Sequence, residues 1–145
     1  MAPIYTLDAS VFVNAFNPYE AGHAESRRLL AQLQEQATPI VVPTLLLPEV
    51  AAAVSRGRED ADLAREFALA LHRLPHVVWV PLDETLADQS IDMAAQHRLR
   101  GSDAIYAAVA WRFGSTLVTL DREQQERVTA ALPARFPANV LEEIG

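Results

Sequence analysis

The chain has 145 residues, half of them hydrophobic, and a formal charge of −7 from nineteen acidic and twelve basic residues. That length suits a single domain spanning residues 1–145 with a real buried core, and that hydrophobic content excludes a disordered chain. Cysteine is absent and every basic residue is arginine, which excludes disulfides, thiolate metal sites, a P-loop lysine and Schiff-base chemistry. Net negative charge argues against coating nucleic acid through a broad cationic surface, but not against an enzyme that meets phosphate through bound metal ions. No apolar run approaches the roughly 20 residues that span a bilayer. The N-terminus lacks the basic region and cleavage site of a signal peptide, so a cytoplasmic protein is expected.

In chain order, Ile4–Asp8 predicts a first strand that runs straight into a helix with Val11, Ala15 and Phe16 as candidate core positions. Asn17-Pro18 breaks the chain, and a helix follows over Ala21–Gln36 with Leu29, Leu30 and Leu33 on one face. Pro39–Pro43 is a short strand. The next helix starts near Leu47 with Pro48 in its first turn, and stops near Arg56-Gly57. A helix over about Glu59–Leu74 leads to a β-branched strand at Val77–Leu82, after which Asp83 caps a helix reaching Arg98. Ser102 is a natural N-cap for a helix that Gly114 closes. Thr116–Leu120 is the fourth strand, Arg122–Leu132 a helix, and Asn139-Val140-Leu141 a last short strand. Strands alternating with helices indicate an α/β fold with a parallel sheet covered on both faces.

Four carboxylates adjoin apolar segments that draw them inward: Asp8, Glu49, Asp103 and Asp121. Each of the three aspartates has a structural explanation. Asp8 can cap the first helix, Asp103 sits where a helix dipole favours a negative charge, and Asp121 fits a capping box with Gln124. Glu49, inside Leu45–Val54, has no cation near it in sequence. Two of the four end strands and two lie early in helices that follow loops at the same sheet edge. Like charges about 4 Å apart repel by roughly 4 kcal/mol at an effective dielectric of 20. Protonation or a bound cation relieves that repulsion, and an oxygen-only donor set favours Mg²⁺ or Mn²⁺ over zinc.

Leu7-Asp8-Ala9-Ser10, Leu47-Pro48-Glu49-Val50, Gly101–Ala110 and Leu117–Asp121 occur in an order and spacing that resemble the PIN-domain nucleases, of the kind found as VapC toxins of toxin–antitoxin pairs. The resemblance covers nearly the whole chain. It implies a three-layer α/β/α sandwich around a mainly parallel sheet of four to five strands, and Mg²⁺- or Mn²⁺-dependent endoribonuclease activity on cellular RNA. It also implies an acidic metal site of Asp8, Glu49, Asp103 and Asp121, supported by Ser10, Asn14 and Thr119, although an N-cap role explains Ser10 equally well. A homodimer and a cognate VapB-type antitoxin are implied too. The Ala21–Gln36 and Glu59–Leu74 helices are candidates for the groove that receives the antitoxin.

Arg56, Arg58, Arg98, Arg100 and Arg122 lie near the acidic segments and are candidate RNA phosphate contacts, with solvated or partner-facing surface as the alternative. The four histidines show no ligand spacing. Trp79 and Trp111 fall in apolar periodic stretches, which suggests core or interface rather than a base-stacking platform. Two other functions compete: a non-catalytic PIN-fold binding or regulatory module, and a metal-dependent phosphatase. Haloacid-dehalogenase-like phosphatases place a second Asp two residues after the first and use a lysine; here Ser10 stands in that position and lysine is absent.

Overall fold

The computed structural model describes residues 2–145. Among them, β1 (Tyr5–Leu7), β2 (Ile40–Pro43), β3 (Val77–Val80), β4 (Thr116–Val118) and β5 (Ala134–Arg135) form one sheet in the order β3-β2-β1-β4-β5. Every pairing is parallel, with Leu7 opposite Val118 and Ile40 opposite Val77. The first strand is therefore the middle one. The helices are α1 (Ala9–Phe16), α2 (His23–Glu35), α3 (Leu46–Arg58), α4 (Ala61–His72), α5 (Glu84–His97), α6 (Gly101–Phe113), α7 (Arg122–Val128) and α8 (Pro137–Ile144).

Right-handed crossovers explain the layering. The chain steps outward from β1 to β2 to β3, which puts α1–α4 on one face. It then returns across the sheet to β4 and β5, which puts α5–α7 on the other. Helix α6 packs across β1, β2 and β4 with α5 along its side, while α1 packs on β1 and contacts α2 and α3; α8 closes against α2. The result is the expected three-layer α/β/α sandwich. Among the described residues, no helix is long and apolar enough to cross a membrane.

The core follows from the strands and from α6. Leu7, Ile40, Val42, Leu117 and Val118 are fully buried, as apolar strands covered on both faces must be. Along α6, Ala104, Ala107, Ala108, Val109 and Ala110 are likewise inaccessible. A helix apolar on nearly every side belongs in the middle of a fold, and its alanines let it approach the sheet closely.

Several local expectations are corrected. Asn139–Leu141 lies in α8, not a strand: Pro137 starts that helix, Asn139 Oδ1 accepts the Phe136 N–H at 3.4 Å, and Val140 and Leu141 face the core. The final strand is instead Ala134–Arg135, and α7 stops at Val128, short of Leu132. Ser102 sits inside the first turn of α6, whose N-cap is Arg100 in an extended conformation. Trp111 is 56% exposed and so is not core; Trp79 is half-buried, edge-on to His72.

Candidate active site

The carboxyl ends of β1 and β4 lie side by side, because Asp8 N–H extends the ladder to Val118 O at 3.1 Å. Asp8 is the N-cap of α1, accepting the Ser10 N–H at 3.1 Å, so its capping role holds. It is only 5% exposed. The Ser10 hydroxyl donates to Asp8 Oδ1, and Thr119 Oγ1 donates to Asp8 Oδ2 at 2.6 Å. Ser10 is thus not the N-cap; its Oγ accepts the Leu120 N–H at 3.2 Å and ties α1 to the end of β4. Thr119 Oγ1 also accepts the Asp121 N–H at 3.0 Å, tying the Asp8 carboxylate to the backbone at Asp121 through one hydroxyl.

Asp121 caps α7 through the Gln124 N–H at 3.1 Å. The expected capping box is only half formed, because the Gln124 carboxamide turns inward to Thr119 instead, at 3.0 Å. Across the gap, Asp103 stands in the first turn of α6. The Arg100 guanidinium joins the two aspartates, with Nε on Asp103 Oδ2 at 3.1 Å and Nη2 on Asp121 Oδ2 at 2.8 Å. Those carboxylates are 18% and 30% exposed at the side chain, and Arg100 is 75% exposed.

Glu49 lies in the first turn of α3 and accepts a hydrogen bond from the Tyr106 hydroxyl at 2.6 Å. Tyr106 is buried on α6, three residues after Asp103, so one helix supplies a site carboxylate and the partner of another. Its apolar surroundings in Ala104–Ala110 hide this role in the sequence; a tyrosine among alanines on a buried helix is the one available signal.

The acidities describe a single electrostatic cluster. Burial pushes Asp8 up to about 6, against the pull of the Ser10 and Thr119 hydrogen bonds, and the charge of Asp103 raises it further. Burial likewise raises Glu49, opposed by the Tyr106 hydroxyl and reinforced by Asp103. Asp103 is raised by burial, lowered by Arg100, and raised by the charge of Asp121. Desolvation first, then the charge of Glu49, holds the Tyr106 phenol well above its ordinary range, so it stays a donor. All four predicted carboxylates thus reach one edge of the sheet and act on one another.

The other predicted residues divide. Thr119 and Ser10 brace the site directly. Asn14 is fully buried but belongs to the α1–α2 connection, donating to Glu20 Oε1 at 3.0 Å and Ala21 O at 2.9 Å. His23 reinforces that connection through Asn14 O at 2.8 Å, a structural role its spacing does not signal. Arg100 and Arg122 stand at the acidic edge. Arg56 and Arg58 end α3, about 10–14 Å along the helix from Glu49, and Arg58 lies over the Phe16 ring at 5.6 Å. Arg98 is the C-cap of α5, and its carbonyl accepts from Arg127 at 2.6 Å. A shallow groove of about 480 Å³ runs between α3 and α4, bordered by Leu47, Pro48, Ala51 and Leu69; α2 does not line it.

The residues present suit a hard divalent cation in kind. Every candidate donor is a carboxylate oxygen, and Asp103 and Asp121 already share one cation, the guanidinium. Among the described residues, no three His, Cys, Asp or Glu side chains stand close enough to hold one ion together.

A parallel α/β sandwich with carboxylates at the ends of its central strands defines the class: an open-sheet protein with its site where the chain reverses across the sheet. Residues 5–130 match the PIN domain model, and the chain belongs to that family. No curated protein sequence matches. Among solved structures, the chain superposes on VapC20 of Mycobacterium tuberculosis, described as a sarcin–ricin-loop-cleaving toxin, with a TM-score of 0.71 at 19% identity, covering 88% of this chain and 95% of that one. VapBC2 of Rickettsia felis, bound to a DNA fragment from its promoter, gives 0.69 at 16% identity over 92% and 98%. PAE2754 of Pyrobaculum aerophilum gives 0.68 at 23% identity over 99% and 97%. These likenesses establish the fold.

Proposed function

We propose that the chain is a metal-dependent endoribonuclease of the VapC kind, a cytoplasmic toxin that cleaves cellular RNA and is neutralised by a cognate antitoxin. The observation that carries this reading is the cluster of Asp8, Glu49, Asp103 and Asp121 at the carboxyl ends of β1 and β4, mutually coupled and backed by Ser10, Thr119 and Tyr106. Asp103 and Asp121, with Asp8 behind them, are the residues that would hold Mg²⁺ or Mn²⁺, and Glu49 completes the set. Such an ion supplies an activated water and charge stabilisation at a transferring phosphoryl group. The protein's own part is positional. Thr119 and Ser10 fix both oxygens of Asp8, and Tyr106 fixes Glu49. Arg100 is placed to pass from carboxylate to RNA phosphate, an anion that suits a guanidinium equally well.

The structures of VapBC and FitAB complexes that share this fold support an antitoxin partner, and the open groove between α3 and α4 beside Glu49 offers a place for its segment. A homodimer is part of the same proposal, as the family resemblance implies. The test is direct. Purified protein freed of any antitoxin is incubated with RNA and Mg²⁺ or Mn²⁺; cutting that EDTA stops, and that Asp8→Asn and Asp103→Asn lose, is the expected result. Full cleavage by those variants overturns the site. RNA left intact under both metals, with tight binding of a partner peptide, replaces the enzyme with a PIN-fold binding module.

A further inference from the structure

A cavity of about 350 Å³ opens between the start of α2, the end of β4 and the start of α8. Its walls include Gly22, Glu25, Leu120, Arg122 and Phe136. Leu120 and Arg122 flank Asp121 in sequence, so the cavity borders the acidic site.

The charged groups here differ from the others at this edge. Asp8, Glu49, Asp103, Asp121 and Arg100 are all engaged with one another or with hydroxyls, and Glu20 holds Asn14. Among the described residues, Glu25 accepts no side-chain hydrogen bond and joins no ion pair. The Arg122 guanidinium has only the Phe136 ring, 5.9 Å away. Behind the wall, the buried Asn14 Oδ1 has no donor and lies 3.4 Å from where a Cβ on Gly22 would stand. Gly22 has φ +84°, which favours glycine and leaves that rim bare. A carboxylate without a donor, facing a cation stacked on an aromatic ring, describes a planar ligand that carries N–H groups. Glu25 repels a free phosphate from the same wall.

We infer that this cavity is a nucleobase subsite, which takes a base flanking the scissile phosphate between Arg122/Phe136 and the Glu25 carboxylate. Guanine fits best: its N1–H and N2–H₂ donors match two carboxylate oxygens, and its ring stacks on the guanidinium–phenyl pair. The inference rests on the nuclease reading above and adds the determinant of its sequence preference.

Two measurements test it. The first maps cut ends in an RNA pool randomised around the cleavage point. Wild-type protein is expected to favour guanine at one flanking position, and Glu25→Gln to weaken that preference about tenfold there and at no other position. Phe136→Leu is expected to weaken selection among all four bases at the same position. The second titrates metal-free protein with guanosine 5′-monophosphate or ribose 5-phosphate and follows the amide resonances of Gly22, Glu25 and Leu120. The nucleotide is expected to shift them, and the sugar phosphate is not. Equal shifts from both ligands, or a Glu25→Gln cleavage profile identical to wild type, overturn the subsite. Guanosine-specific shifts in a protein that cuts no RNA support the subsite while overturning the nuclease reading, so the two failures are separable.

Discussion

The two sides of the acidic edge are held by opposite means. Asp8 is buried, and both its oxygens accept hydrogen bonds from hydroxyls that are themselves anchored, Ser10 to the Leu120 N–H and Thr119 to the Asp121 N–H. Asp103 and Asp121 are partly exposed, and their common partner is the side chain of Arg100, three-quarters exposed. The buried side is fixed by hydrogen bonds within the fold. The exposed side depends on a cation, and arginine fills that place in the protein by itself. An edge made this way holds one carboxylate by buried hydrogen bonds and two by an exposed ion pair.

That contrast can be broken from either side. The largest expected effect is on activity: Asp103→Asn should lower RNA cleavage by about a hundredfold or more while leaving urea-unfolding midpoints nearly unchanged, because its partner Arg100 is exposed and stays solvated when the charge is gone. Asp8→Ala should show the reverse emphasis, costing about 2–3 kcal/mol of stability by urea titration, since two hydroxyls and the Ser10 N–H lose their acceptor. Equal destabilisation by both variants would erase the proposed difference between the sides.

Acid titration gives the next effect. The folded pKa of Asp8 is raised from 3.8 to about 6, so the native state binds the extra proton between those values. Its contribution to stability is therefore fully present below about pH 4 and is lost as pH rises through 6, on the order of 2–3 kcal/mol in metal-free protein. Glu49 and Asp103 are shifted in the same direction. Unfolding free energies measured in EDTA across pH 4–7 should fall for wild type and flatten for Asp8→Asn.

The smallest effect sharpens the exposed side. Arg100→Ala should tighten Mn²⁺ binding about three- to tenfold by calorimetry, because a competing cation is gone. Weaker binding would mean instead that Arg100 holds Asp103 and Asp121 in place for the ion.

The carboxylates were legible in the sequence because each ends an apolar strand or opens an apolar helix, where burial and function compete. The alternation of strands and helices indicated the parallel sheet, while the strand order came only with the fold. Other features depend on contacts far apart in the chain. Tyr106 reads as one more buried residue until α6 crosses the sheet and brings its hydroxyl to Glu49, 57 positions away. Arg100 reads as an RNA contact, yet reaches Asp121, 21 positions on. Gln124 matches a capping box by spacing, but Thr119 offers its side chain a buried partner. Val140-Leu141 resembles a strand because three residues cannot distinguish a period of two from one of 3.6; Pro137 and Ile144 complete the helical pattern.

The alanines of α6 act as a spacer between the fold and its chemistry. Ala104, Ala107 and Ala108 have no accessible surface, so the helix axis sits as near the sheet as methyl groups allow. The same helix carries Asp103 and Tyr106 on a continuous backbone. A single added methylene at Ala107 must lift the whole rod, and with it one site carboxylate and the hydroxyl that aims another. Packing depth in this helix therefore sets where Asp103 and the Tyr106 hydroxyl stand, and a larger side chain at Ala107 is expected to lower the proposed RNA cleavage.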